Sequence, residues 1–126
     1  MRAIDTNVVV RLVTRDELAQ VHAAEAFASS GAWISNVVLA ETGWVLDSVY
    51  GRTAEQIAAA IDTLLNHKNV TMQDTDVVVS ALEQFRKRPA LGFADCLVLE
   101  IARKAGYLPL GTFDRDLARL DGTQRL

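Results

Sequence analysis

Short apolar segments alternate with longer helical segments along this sequence, and no other feature limits its fold as strongly. Strand-like segments of three to five residues are predicted at 2–4, 32–34, 70–72 and 107–111. Between them, apolar residues recur every three or four positions, which is typical of amphipathic helices. Strands joined through helices form parallel sheets, because each crossover returns the chain in the same direction. The pattern therefore predicts an α/β/α sandwich, with three layers and a central, mainly parallel sheet of short strands.

Capping residues and glycines place the ends of the predicted helices. The predicted helical segments are 8–12, 16–28, 37–50, 53–67, 75–86, 93–105 and 114–120. Thr53 and Gln56 have the spacing of a capping box at the start of the fourth segment. Gly106 follows the sixth segment, where a glycine commonly ends a helix. Pro109 lies in the last predicted strand and indicates a sheet edge, because proline donates no ladder hydrogen bond.

The composition limits which classes of protein this chain can belong to. The chain has 126 residues, of which 50% are hydrophobic, and no linker or repeat interrupts it, so we expect residues 1–126 to form a single domain. The net charge of −3 excludes bulk positive charge as a means of holding nucleic acid. The longest apolar run, 57–61, is far shorter than the roughly 20 residues of a membrane span. With one cysteine and no signal-like stretch before Asp5, we expect a cytoplasmic protein that does not enter membranes.

Four acidic residues lie at positions where this fold usually has buried side chains or side chains that face a ligand. Asp5 follows the first predicted strand, and Asp114 follows the last one. Glu41 lies in the middle of a predicted helix, where the residues three and four positions away are apolar. This spacing predicts a carboxylate inside an apolar stripe. Asp95 repeats the pattern near the start of the sixth helical segment.

These four carboxylates are expected to converge. In a parallel α/β sheet the ligand crevice lies beyond the carboxyl ends of the strands, where Asp5 and Asp114 stand by position. Asp95 and the longer side chain of Glu41 can reach the same edge. Two carboxylates about 4 Å apart repel by roughly 4 kcal/mol at an effective dielectric near 20, so the cluster requires protonation or a bound cation. Ligands that are all oxygen suit Mg²⁺ or Mn²⁺ and disfavour zinc.

Each acid also has an ordinary structural role open to it. Asp5 could bond its own backbone in an Asx turn, and Asp114 could cap a helix. Asp95 could be a first-turn acid that the helix dipole favours. Glu41 has no such capping role, because it lies in mid-helix. The four together favour a site more strongly than any one of them does.

Four motifs resemble the PIN-domain family and, more narrowly, the VapC-type toxins of prokaryotic toxin–antitoxin pairs. In chain order they are Ile4-Asp5-Thr6-Asn7, Val38-Leu39-Ala40-Glu41, Ala94-Asp95-Cys96 and Thr112-Phe113-Asp114-Arg115-Asp116. The likeness spans essentially the whole chain in the order of the family. One departure is that the chain ends soon after Leu120, so the closing strand that relatives often have is short or absent.

The resemblance implies a PIN-like fold and a set of site residues. Asp5, Glu41, Asp95 and Asp114 would be the catalytic, metal-binding acids. The residues implied as supplementary are Thr6, Asn7, Thr112 and Asp116. The resemblance also implies an endoribonuclease dependent on Mg²⁺ or Mn²⁺, a homodimer, and inhibition by a cognate antitoxin protein.

The residues themselves indicate metal-activated water as the nucleophile. His22 and His67 fall on helical segments away from the four acids, and Cys96 reads as a small packed residue, so no familiar nucleophilic arrangement is present. Water activated by a metal would leave a 5′-phosphate and a 3′-hydroxyl.

Two surfaces are expected to meet partners. Arg86, Lys87 and Arg88 are expected to flank the acidic pocket and to offset its repulsion of RNA. Further basic residues for this rim are Arg11, Arg15, Arg115 and Arg119. The apolar residues predicted to form a groove for the antitoxin are Val45, Val49, Tyr50, Ile57 and Ile61. Burial of the same residues in the core or in a dimer interface is the alternative.

Two other functions compete with the nuclease. A receiver-like Mg²⁺-binding signalling module has a similar size, but it needs paired acids after its first strand and a late lysine. Here Thr6 and Asn7 follow Asp5, and no lysine follows Lys104. A catalytically silent PIN module that serves only as an interaction surface is the other alternative, and the intact four acids argue against it. Nothing in the sequence identifies which RNA would be cut.

Overall fold

Strands and helices alternate along most of the chain. The computed structural model describes residues 1–126. The strands are β1 (Arg2–Ala3), β2 (Ala32–Ile34), β3 (Val70–Met72), β4 (Leu110–Thr112) and β5 (Thr123–Arg125). The α-helices are α1 (Thr6–Thr14), α2 (Leu18–Ala28), α3 (Asn36–Ser48), α4 (Ala54–Leu65), α5 (Thr75–Lys87) and α6 (Phe93–Ala105). Short 3₁₀ helices occupy Pro89–Leu91 and Leu117–Arg119. The predicted α/β class is confirmed.

The strands form two separate parallel sheets. One sheet has the order β1-β2-β3, with Arg2 opposite Ala32 and Trp33 opposite Thr71. The other pairs β4 with β5. The predicted parallel pairing is therefore confirmed, and the closing strand is present but only three residues long. β4 has a single partner and lies at a sheet edge, as Pro109 indicates, although Pro109 itself lies just before the strand.

Caps explain why most element boundaries follow the sequence. Ser35 accepts a hydrogen bond from the Val38 N–H at the start of α3, and Asp74 does the same for Val77 at the start of α5. β2, β3 and α6 have the predicted bounds. At the end of α6, Gly106 adopts a left-handed conformation with φ of 85°, which an L side chain would strain.

The end of the chain differs from the prediction of a helix at 114–120. Only Leu117–Arg119 is helical there, as one 3₁₀ turn. The Asp114 carboxylate accepts from the N–H groups of Asp116 and Leu117, which stabilises a tight turn in place of a longer helix. The last predicted strand is also displaced, since Tyr107 donates its N–H back to Ala102 and the strand begins only at Leu110.

The orientation of α3 also differs from the prediction. Glu41 is exposed, and Val37 and Trp44, at helical spacing from it, are 67% and 63% exposed. The prediction that this stripe faces the core is therefore wrong. The buried face of α3 consists of Leu39, Thr42, Gly43 and Leu46. Because apolar residues occupy both faces of this helix, their spacing alone does not select the buried one.

One hydrophobic core of 24 buried residues joins the helices to the strands. Ile57 and Ile61 of α4 belong to this core, and Tyr50 is half-buried with its hydroxyl hydrogen-bonded. The predicted antitoxin groove is therefore wrong, because only Val49 among its five residues is exposed. The packing of α4 against α3 and α5 takes up the apolar surface that the sequence offered to a partner. None of the helices has the length and apolar character that a membrane crossing requires.

The capping box at the start of α4 provides a test of this fold. Thr53 Oγ1 accepts from the Gln56 N–H at 3.2 Å, and Gln56 Oε1 accepts from the Thr53 N–H at 2.9 Å. We expect Thr53→Ala to lower the free energy of unfolding by about 1 kcal/mol, because the first turn loses a capping acceptor. The measurement is chemical denaturation at constant m-value.

A matched control lies in the same helix. Thr63 is exposed in the last turn of α4 and donates its hydroxyl to the Ala59 carbonyl at 2.9 Å, a bond that helix formation does not need. Thr63→Ala should change stability by less than about 0.5 kcal/mol. Equal losses in the two variants would contradict the assigned role of Thr53.

Candidate functional site

Asp95 is the candidate residue whose environment differs most from water. It lies in the first turn of α6. The neighbouring Phe93, Cys96 and Leu97 are buried and pack this turn against the core. The carboxyl is half-buried, and no cationic side chain lies within ion-pair distance. Burial raises the pKa of Asp95 above its ordinary value, and the charge of Asp114 raises it further. The site therefore holds a carboxylate that lacks a counterion.

Asp114 supplies the second charge at this site. It follows β4, in a turn that Thr112 stabilises by accepting the Asp114 N–H at 3.0 Å. Asp114 Oδ1 accepts from the backbone N–H groups of Asp116 at 2.8 Å and Leu117 at 3.1 Å. Its other carboxylate oxygen accepts no protein hydrogen bond and is free to bind a ligand. Asp116 is exposed and its carboxylate has no partner.

Asp5 lies at the amino end of α1 and has the ordinary role of a cap. Its Oδ1 accepts from the Val8 N–H at 3.1 Å, directly after β1. Asp5 and Asn7 line a cavity of about 400 Å³ between α1 and α2, together with Arg11. Thr6 begins α1 and is half-buried. The capping role leaves a second carboxylate oxygen of Asp5 without a hydrogen bond.

Asp114 is near enough to Asp95 for its charge to raise the pKa of the Asp95 carboxyl. No three His, Cys, Asp or Glu side chains form a group that could hold a metal ion. Mg²⁺, however, commonly binds through one or two carboxylates, with water and substrate phosphate as its remaining ligands. The donors at Asp95 and Asp114 fit such a cation, because both are oxygen ligands and neither is paired with a cation of the protein.

A cavity beside Asp95 contains residues that the sequence did not single out. It encloses about 450 Å³ between α3, the start of α4 and the 3₁₀ helix Pro89–Leu91. The polar residues of its wall are Trp44, Asp47, Arg52 and Asp95. We call it the Trp44 cavity. The available signal was the spacing on α3, since Trp44 and Asp47 follow Glu41 by three and six residues, but the sequence did not show which face of α3 is exposed.

The predicted basic rim is exposed but not grouped around Asp95. Arg86, Lys87 and Arg88 lie at the carboxyl end of α5, and Arg86 lies 3.9 Å from Asp62. Arg86 also lines a cavity of about 640 Å³ that adjoins the Trp44 cavity. Two other residues predicted for the rim are engaged elsewhere, because Arg11 bonds Tyr50 and Arg15 pairs with Glu25.

Cys96 and His67 have structural surroundings. Cys96 is fully buried, and burial with the nearby charge of Asp95 raises the pKa of its thiol to about 12. A thiol in this state is not ionised near neutral pH, which agrees with the predicted packing role. His67 Nδ1 accepts from the Asn69 N–H at 3.1 Å and so serves a turn before β3.

Comparisons with known proteins find similarity along nearly the whole chain. The family model of the PIN domain matches residues 3–123. Among solved structures, the crystal structure of Mycobacterium tuberculosis VapC20, a sarcin–ricin loop cleaving toxin, is similar at 21% sequence identity. That match covers 98% of this chain and 97% of the other, with a TM-score of 0.44. No curated protein matches the sequence significantly.

Replacement of Asp95 tests whether its negative charge lowers the stability of the folded protein. Because the pKa of Asp95 is raised in the folded state, the free energy of unfolding falls as the pH rises above the ordinary pKa of 3.8. We expect Asp95→Asn, measured without metal at neutral pH, to be at least as stable as the parent. The difference should vanish as the pH falls below 3.8, where the parent carboxyl is protonated in both states.

Added Mg²⁺ gives the second half of this test. A cation that binds the folded parent at Asp95 raises its melting temperature, and this rise should shrink in Asp95→Asn. Asp121→Asn is a suitable control, because Asp121 is exposed and its side chain has no partner. An Asp95→Asn variant that is destabilised at neutral pH and keeps the full Mg²⁺ shift would remove Asp95 from the site.

Proposed function

The chain belongs to the PIN-domain family, and from this premise we propose that it is an endoribonuclease that hydrolyses RNA phosphodiester bonds with metal-activated water. The observation that carries the proposal is the half-buried Asp95, which lies near Asp114 and has no counterion in the protein. A folded chain retains such a charge when a ligand compensates it. Mg²⁺ or Mn²⁺ is the compensating ligand that an all-oxygen site favours.

Asp95 and Asp114 would hold the cation, with Asp5 and Glu41 as the further acids of the site. When bound, a divalent cation neutralises phosphate charge and makes water a competent nucleophile near neutral pH. The contribution of the protein is to orient the carboxylates that would bind the cation. The two backbone N–H groups on Asp114 Oδ1 orient that carboxylate, and Thr112 holds the turn in which it lies. Asp116, Thr6 and Asn7 complete the proposed set as supporting residues.

RNA would approach across the side of the molecule that carries the Trp44 cavity. Arg52 lines this cavity, and Arg86 lines the adjoining one. Lys87 and Arg88 follow on the exposed end of α5. These cations would give the approaching RNA backbone local positive charge along this side of the molecule, although the chain as a whole has a net charge of −3.

We further propose that the protein is the toxin of a type II toxin–antitoxin system. The support is the order of its four motifs within the PIN-domain match to residues 3–123. A cognate antitoxin protein would be its inhibitor and the cytoplasm its location. The antitoxin would have to bind outside the predicted groove, because Ile57 and Ile61 are in the core.

A catalytically silent PIN module is the second candidate. The observation in its favour is that no three acidic side chains form a group that could hold a metal ion. Such a module would act through its surface alone, and RNA incubated with it would remain intact under all metal conditions.

Cleavage of RNA with and without metal tests the proposed activity. We expect cleavage with Mg²⁺ or Mn²⁺, none in EDTA, and recovery when the cation is restored. The products should carry 5′-phosphate and 3′-hydroxyl ends, because water attacks in place of the ribose 2′-hydroxyl. Cyclic 2′,3′-phosphate ends, or activity that persists in EDTA, would contradict the proposal.

Replacement of either acid should remove most of this activity. Cation binding supplies several kcal/mol to the transition state, so we expect Asp95→Asn or Asp114→Asn to slow cleavage by about 100-fold or more. Asp121→Asn should cleave at the parent rate. Full activity in both site variants would contradict the assignment of the acidic pair.

A homodimer is also proposed, with α6 as the contact face. Val98 and Ile101 are 50% and 39% exposed on this helix, next to the half-buried Asp95. We expect light scattering to give about twice the 13.8 kDa of one chain, and Val98→Glu to give the monomer. Val49→Glu changes a valine that is 67% exposed at the end of α3 and should leave the dimer intact. A monomeric parent would contradict the dimer.

A further inference from the structure

The Trp44 cavity combines an apolar wall with a few polar side chains at its rim. Leu91 and Phe93 are buried residues of the wall, and Asp95 also lines it. Its volume of about 450 Å³ lies within the range of about 300–1,000 Å³ in which proteins bind small organic groups. The cavity thus offers room for a flat organic group directly beside the proposed cleavage site.

The polar side chains of this cavity form no hydrogen bond or ion pair within the protein, and the Arg52 guanidinium lies 5.9 Å from the centroid of the Tyr50 ring. The Trp44 indole N–H donates no hydrogen bond, and the indole is one of the most exposed large apolar groups of the chain. The Asp47 carboxylate and the Arg52 guanidinium take part in no hydrogen bond or ion pair. By contrast, Arg11 and Arg103 are bonded to neighbouring side chains.

We propose that the Trp44 cavity is a subsite for one unpaired guanine base of the RNA substrate, seated beside the phosphodiester bond that is cut. This inference rests on the proposed nuclease function. The exposed indole provides a stacking surface, which is how proteins commonly hold unpaired bases. The wall carries two carboxylates, Asp47 and Asp95, against one guanidinium, and this negative balance suits a neutral base better than it suits a phosphate group.

The pairing groups at the rim select guanine among the four bases. Guanine presents two parallel donors, N1–H and the N2 amino group, that the Asp47 carboxylate can accept together. Its O6 and N7 acceptors are the groups that arginine binds with two hydrogen bonds, and Arg52 is available for them. Adenine, cytosine and uracil lack an adjacent pair of donors, so each would leave part of the rim unpaired.

The adjoining cavity provides a path for the rest of the strand. The cavity of about 640 Å³ shares Ala54, Phe85 and Pro89 with the Trp44 cavity and adds Arg86. A strand whose base occupies the Trp44 cavity could pass one phosphate close to this guanidinium. The two cavities together follow the surface from Asp95 to the end of α5.

Binding in the absence of cleavage tests the subsite separately from the nuclease. The probes are the pentaribonucleotides UUGUU, UUIUU and UUAUU, where I is inosine, which lacks the N2 amino group. In EDTA, we expect UUGUU to quench tryptophan fluorescence and to bind about 10-fold more tightly than UUIUU, because one charge-assisted hydrogen bond is lost. Loss of the quenching in Trp44→Phe would assign the signal to Trp44 and not to Trp33.

Asp47→Asn is the decisive variant. It should bring the affinities for UUGUU and UUIUU to within about twofold, since the amide cannot accept both donors. Asp121→Asn, which changes an exposed acid far from the cavity in sequence, should retain the full preference. Equal affinity of the parent for all three probes, or an unchanged preference in Asp47→Asn, would overturn the subsite.

The guanine subsite and the nuclease site can fail independently of each other. Metal-dependent cleavage that shows no guanine preference would retain the nuclease and overturn the subsite. Guanine-selective binding by a protein that never cleaves RNA would support the subsite and overturn the nuclease. If Trp44 instead lies between two copies of the chain, its emission would change on dilution and not with RNA, which would also overturn the subsite.

Discussion

The contact between Gly43 on α3 and Phe93 on α6 determines where the candidate site lies. A Cβ atom at Gly43 would meet Phe93 Cβ and Cδ2 at 3.4 Å, so the absence of a side chain lets the two helices approach closely. Phe93 also packs edge-on against Phe85 of α5, with ring centroids 6.0 Å apart. Asp95 follows Phe93 by two residues, so the same contact carries its carboxylate to the wall of the Trp44 cavity. Packing in the core thereby positions a charge at the surface.

The sequence predicts the bounds of helices and strands well where caps and glycines at their ends determine them. α6 has its predicted bounds because Gly92 and Gly106 flank it, and Asp95 is correctly placed in its first turn. The exposure of Glu41 was less predictable, because α3 carries apolar residues on two faces and its packing against α1, α4 and α6 decides which face is buried. The turn after Asp114 depends on its two backbone hydrogen bonds, which local propensity does not reveal.

The proximity of Asp95 and Asp114 illustrates what sequence can show of a site and what it cannot. The types of residue and their places beside predicted elements indicate a cation site, and the structure brings these two charges near each other. The distances of Asp5 and Glu41 from this pair depend on how β1 and α3 pack against the other elements. β4 pairs only with β5 and not with β1, so no sheet hydrogen bond joins the turn of Asp114 to the strand before Asp5.

The end of α3 combines a firmly bonded backbone with free side chains. Arg11 donates to the Tyr50 hydroxyl at 2.8 Å, and this hydroxyl donates to Asp16 at 3.0 Å. Hydrogen bonds from Thr14 and then Tyr50 lower the pKa of Asp16, which keeps the network charged. The Arg52 N–H donates to the Leu46 carbonyl at 2.9 Å and closes the turn that follows the helix. Asp47 and Arg52 therefore project from a bonded segment. Their charged groups form no hydrogen bond or ion pair, and Arg52 contacts only the Tyr50 ring, so a ligand at the Trp44 cavity would order few side chains and no backbone.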